Sequence, residues 1–235
     1  MRNTSETDWL KPSKRAGRTQ AFQVMELLGR ARELESRGHD VVHFEVGEPD
    51  FATPAPIVAA AQRALEAGAT GYTQALGLPE LRSAIAADYA TRFGVDVDPR
   101  RVAVTTGASA ALNLLFAALL DPGDAVLIAD PGYPCNETFV ALLGGRPVRV
   151  AVGPDSGYQL SAAAVDAAWT GKTKGVLLAS PANPTGAMLA TDALARIVET
   201  TSQRGGFVAV DEIYQGLIYD TGPSRLTTTS LAVEP

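Results

Sequence analysis

Four short polar segments carry residue types suited to binding and activating a small molecule. Thr105-Thr106-Gly107-Ala108-Ser109 lies between an apolar run and a helical segment. Small residues there let backbone N–H groups approach a phosphate, with a helix dipole behind them. Asp130-Pro131-Gly132-Tyr133-Pro134 puts an aromatic ring on a rigid turn, where it can stack on a planar ligand. Ser180-Pro181-Ala182-Asn183-Pro184-Thr185-Gly186 sets prolines around Asn183, which fixes the backbone and aims one amide. Asp211-Glu212-Ile213-Tyr214 closes an apolar run with a carboxylate, and a carboxylate in such a place is partly desolvated and calls for a cationic partner. Each segment taken singly also has a purely structural reading: Ser109 or Asp211 as a helix cap, Tyr133 as a packed ring.

Elements must bring these segments together. Residues Ala21–Arg37 repeat apolar side chains at a helical period, and Gly38 stops them. Val41–Val46 reads as a short strand, broken by Gly47-Glu48-Pro49-Asp50. Ile57–Ala67 and Leu78–Phe93 read as helices. After Pro99 the pattern alternates. Strands are predicted at Val102–Thr105, Ala125–Ala129, Pro147–Val152, Gly175–Ala179 and Phe207–Val210. Helices are predicted between them at Ala108–Leu120, Asn136–Leu143, Ser161–Ala168 and Ala190–Gln203. The strands are continuous apolar runs, as expected when helices cover both faces of a sheet. The fold class is therefore α/β with a mostly parallel sheet, flanking helices and right-handed crossovers. Ligands of such sheets sit beyond the carboxyl ends of the strands, which is where the four polar segments fall.

Composition narrows the function. The chain has 235 residues, 46% hydrophobic and 20% charged, which excludes a disordered polymer. A net charge of −6 argues against a nucleic-acid partner. One cysteine, Cys135, excludes an intrachain disulfide and a cysteine-rich zinc site, and two histidines leave little for metal chemistry. The longest apolar stretch, Ala110–Leu120, is well short of the ~20 residues that cross a bilayer, and Met1–Leu10 has no apolar signal core. No membrane partner and a cytoplasmic location are the resulting expectations. Sequons at Asn3 and Asn136 then read as chance matches. No G-x-G-x-x-G or G-x-S-x-G occurs after a predicted strand, and Gly171-Lys172-Thr173 lacks the earlier glycine of a phosphate loop, where Asp166 stands.

Together, in this order and spacing, the segments resemble the fold-type I pyridoxal-phosphate (PLP) enzymes, and within them the class I/II aminotransferases. The resemblance runs from about Ala21 to the C-terminus. It includes Gly47-Glu48-Pro49-Asp50-Phe51, Tyr72 ahead of Gly77-Leu78-Pro79-Glu80-Leu81-Arg82, and the four segments above. It implies a large PLP-binding domain over residues 51–235, incomplete at its C-terminal end, preceded by an arm and part of a small domain over residues 1–50. By resemblance Gly107, Ala108 and Ser109 bind the cofactor phosphate. Tyr133 stacks on the pyridine ring. Asn183 and Tyr214 hydrogen-bond its phenolic oxygen. Asp211 pairs with the pyridinium nitrogen and keeps it protonated, so that the ring accepts carbanion charge. Tyr72 reaches the phosphate held by the partner subunit of a homodimer, and Gly47 lies near the substrate carboxylate.

The implied reaction moves an amino group between an amino acid and a 2-oxo acid. A β-lyase or decarboxylase on the same scaffold, or a non-catalytic PLP-binding effector domain, is the alternative. The family also uses a lysine, in a Ser-x-x-Lys-like context some tens of residues after the aspartate, as Schiff-base partner and proton carrier. Only Lys11, Lys14, Lys172 and Lys174 occur here, and beyond Tyr214 the sole basic residue is Arg225. The resemblance thus implies an N-terminal portion of an aminotransferase, inactive by itself.

Overall fold

The computed structural model describes residues 11–19 and 22–219. The first ten residues of the predicted arm, the Asn3 sequon and Arg225 lie outside them. Four strands, β1 (Ala125–Asp130), β2 (Arg146–Ala151), β3 (Thr173–Ala179) and β4 (Phe207–Asp211), form one parallel sheet in the order β2-β1-β3-β4. In register, Ala125 faces Arg146, Val126 faces Gly175, and Ala179 faces Asp211. The chain steps outward from β1 to β2, then returns across β1 to β3. The strand order therefore reverses between β1 and β3, the point at which open parallel sheets leave a ligand crevice.

Helices α1 (Gln23–Ser36), α2 (Ala55–Glu66) and α3 (Pro79–Phe93) precede α4 (Ala108–Leu119), α5 (Cys135–Leu142), α6 (Ala162–Ala168) and α7 (Thr191–Gln203). Alternate strand residues face opposite sides. Val126, Ile128, Leu177 and Ala209 pack with Leu112 and Phe116 of α4 and Phe139 and Val140 of α5. Leu127, Val176 and Leu178 pack on the other face with Val165 of α6 and Leu194 and Ile197 of α7. This two-sided burial explains the apolar runs of β1, β3 and β4, each fully buried side chain of this size contributing roughly 1.5–3 kcal/mol. Local chemistry sets the boundaries. Ser161 Oγ accepts the Ala164 N–H at 3.1 Å and starts α6. Gly175 sits opposite the Phe207 ring, where a Cβ would come within 2.6 Å of ring carbons.

Two predicted strands are corrected. Val41–Val46 and Val102–Thr105 join no ladder. A strand exists through its neighbour's hydrogen bonds. Val104 donates one backbone bond to Leu76 at 3.0 Å, and no described strand lies beside either segment. Thus the Thr105–Ser109 segment opens α4 without closing a sheet strand. The N-terminal helices leave large apolar side chains in solvent, among them Leu27, Ile57 and Leu65. Asn136, by contrast, is buried, so its sequon is unavailable for glycosylation.

Candidate active site

A cavity of about 1000 Å³ lies at the carboxyl end of the sheet, over the β1/β3 reversal. It is lined by Gly107, Ala108 and Ser109 from the start of α4, Tyr133 from the turn after β1, and Asn183 from the turn after β3. Asp211, at the end of β4, Tyr214 and Gly47 complete the set of predicted residues in its wall. The structure brings these eight together from segments over 160 residues apart in sequence, Gly47 to Tyr214. Tyr72 is not among them. It is fully exposed in the loop between α2 and α3.

The geometry at the start of α4 is compatible with an anion. Gly107 adopts φ 87°, ψ 170°, a region essentially closed to other residues. A Cβ there would meet no atom within 4 Å, so the conformation and the open space before it, rather than packing, account for the glycine. No side chain caps α4, whose first N–H groups have no intrahelical acceptors. Thr105 Oγ1 donates to the Gly107 carbonyl at 2.9 Å and holds the turn.

On the opposite wall the Asp211 carboxylate accepts the Ile213 N–H at 3.0 Å. The Asp211 carbonyl accepts the Ser180 N–H at 3.0 Å, which ties the Asn183 turn to β4. Ser180 Oγ accepts the Leu189 N–H at 3.0 Å. The peptide bonds before Pro131, Pro181 and Pro184 are cis. Tyr133 is half-buried. The Cys135 side chain beside it, then burial, then the nearby Tyr214 and Asp211, push its phenol up to about 12. Its ring meets Phe22 edge-on, with centroids 5.8 Å apart and planes at 73°. Phe22, just before α1, also lines the cavity. Sequence reading placed it only within the helical period of Ala21–Arg37, because nothing local marks a contact over more than a hundred residues.

A clamp on His43 precedes Gly47 in the chain. His43 Nε2 lies 2.9 Å from Glu35 on α1, and His43 Nδ1 lies 2.6 Å from Glu45. The bonds to Glu35 and then Glu45 raise the pKa of His43, and His43 lowers that of Glu45. None of the four lysines lines the cavity. Lys172 and Lys174 are exposed at the amino end of β3, the far end from Ala179. Among the described residues no three His, Cys, Asp or Glu side chains cluster as metal ligands, and no helix is long and apolar enough to cross a membrane. The donor set, an uncapped helix start, a stacking ring, an aimed amide and a carboxylate, fits a phosphorylated aromatic cation.

The sequence profile of aminotransferase class I and II matches residues 39–232. The chain is 40% identical to a valine–pyruvate aminotransferase of Mycobacterium tuberculosis over 205 residues, 86% of this chain and 52% of that protein. It is 38% identical to an aspartate aminotransferase of Thermotoga maritima, over 88% of this chain and 55% of the relative. The solved structure of Thermus thermophilus aspartate aminotransferase with maleate superposes with a TM-score of 0.86 at 34% identity, over 92% of this chain and 58% of that one. The chain thus spans about half the length of the curated relatives it matches. Its α/β sheet and flanking helices are those of the fold-type I enzymes, and the chain belongs to the class I and II aminotransferase family.

Proposed function

We propose that this chain forms the PLP-binding part of an aminotransferase acting on amino acids and 2-oxo acids. One observation carries the reading: the α4 start, Tyr133, Asn183, Asp211 and Tyr214 converge on a single cavity at the sheet's reversal point. When bound, pyridoxal phosphate supplies an electron-accepting ring for bond changes at the amino acid's α-carbon. The protein's own residues hold and tune it. The N–H groups at Gly107, Ala108 and Ser109 bind the phosphate. Tyr133, kept a neutral phenol, stacks on the ring. Asn183 and Tyr214 hydrogen-bond the phenolic oxygen. Asp211 holds a proton on the ring nitrogen. Gly47 presents bare backbone to the substrate carboxylate. Tyr72 reaches toward the site of a partner subunit, a role supported by its full exposure away from its own cavity. Residues 1–50 serve as arm and small-domain segment, and residues 51–235 as the large domain.

The cavity wall supplies no lysine. The chain by itself therefore holds the cofactor without a covalent link and does not turn over. Titration of the chain with PLP, read by absorbance and tryptophan fluorescence, tests the binding. Saturable binding that weakens about ten-fold or more in Asp211→Ala is expected, since a charge-assisted bond is lost. No saturable binding by the wild-type chain would refute the reading.

A further inference from the structure

Beneath the Asn183 turn lies a second cavity, of about 20 Å³. Tyr133 and Asn183 border both cavities. Two amides outside the site described above, Asn136 and Gln159, also wall the small one, and each is only 8% exposed. Gln159 Nε2 donates to the Ala179 carbonyl at 3.1 Å and to the Ala187 carbonyl at 2.8 Å. Ala179 ends β3, and Ala187 is the first residue past the Ser180–Gly186 turn. One buried side chain thus straddles both legs of the turn that carries Asn183.

The turn's internal shape has other supports. Gly186 N–H donates to the Ala182 carbonyl at 2.7 Å, Ala182 N–H donates to the Ala187 carbonyl at 2.9 Å, and the prolines fix φ. None of these sets the angle of the whole turn to the sheet. The Ser180 N–H bond to the Asp211 carbonyl ties the entering leg to β4, and Gln159 adds the link between the legs, because its two acceptors belong to the end of β3 and to the segment that leaves the turn. Asn136 adds a second observation. Its N–H donates to the Tyr133 carbonyl at 3.1 Å, while its Oδ1 is buried with no donor from the protein. Buried amide oxygens are ordinarily satisfied, and 20 Å³ holds one water.

We infer that Gln159 is a positioning residue, which sets the placement of Asn183 over the cofactor site, and that one internal water on Asn136 Oδ1 fills the niche between the Tyr133 and Asn183 turns. The consequence for cofactor binding rests on the proposed function; the positioning of the turn does not.

Two substitutions remove the paired donors: Gln159→Leu, and Gln159→Asn, which keeps the amide but is too short for both carbonyls and serves if the first fails to fold. Amide hydrogen exchange at Ala182 and Gly186 is expected to quicken at least ten-fold, with Val126 and Ile128 of β1 unchanged. PLP affinity falls about ten-fold, and in an Asn183→Ala background the Gln159 substitution adds no further loss. Unchanged exchange in the turn overturns the inference, as do affinity losses that multiply. A crystal structure is expected to show water on Asn136 Oδ1, and a dry niche overturns that part. If Asn183→Ala binds PLP as tightly as wild type, the role given to Asn183 in the proposed function falls, and the exchange data alone decide the role of Gln159.

Discussion

Tyr133 is held as a neutral phenol by the Cys135 side chain and by burial, with a pKa near 12 against about 10 in an unfolded chain. A group whose folded pKa is raised contributes stability below the unfolded value and loses it as pH climbs through the folded one. The window here is roughly pH 10 to 12. Spectrophotometric titration is expected to show one tyrosine ionising late, and Tyr133→Phe to remove that step; a late step that survives the substitution would reassign it. His43 has the same sign at lower pH. With its carboxylate partners ionised, its clamp on Glu35 and Glu45 is complete below about 6.5 and lost as pH rises through the raised value. Proton NMR should place the His43 midpoint above 6.5, and Glu35→Gln should bring it down. No movement would mean the clamp does not form in solution. At this scale the sequence showed which polar residues sit in conspicuous turns. Gln159 and Phe22 stayed hidden, since their roles come from carbonyls and rings brought near by folding.

Helices and strands respond to packing, and two elements expose the tolerance. Gly175 lies against the Phe207 ring across the β3–β4 pair, so Gly175→Val forces the ring or the strand aside. Chemical denaturation is expected to show a loss of about 1–3 kcal/mol. Phe116 of α4 is fully buried among Val126, Ile128 and Phe139, and Phe116→Ala is expected to cost about 3–5 kcal/mol. A loss well under 1 kcal/mol in either would contradict the packing described. The same burial made the elements readable. The apolar runs of β1 and β3 and the period of α7 appear in the chain to within two residues of their structural limits. Val102–Thr105 shows the limit of such reading. Its residue types suit a strand, but a ladder needs a partner, and no sequence window contains one.

Across the whole molecule, burial is uneven. The strand and helix layers after Ala108 enclose the core, while α1, α2 and α3 carry Leu27, Ile57, Leu65 and Leu81 in solvent. Sedimentation of the chain is expected to show concentration-dependent association, and Ile57→Glu with Leu65→Glu to reduce it; a monodisperse monomer at high concentration would contradict this. Borohydride treatment with PLP, followed by peptide mass spectrometry, is expected to leave no pyridoxyl group on Lys172 or Lys174. A specific adduct there, with turnover, would overturn the non-covalent reading. Strand β4 raises a different matter. It stands at one end of the sheet order, and its outer backbone N–H and C=O groups have no ladder partner among the described residues. It also carries Asp211. A separate polypeptide that zipped onto that margin would silence a sticky edge and stiffen the carboxylate's own backbone in a single act. On the proposed function, affinity for the cofactor and resistance to aggregation would then rise together.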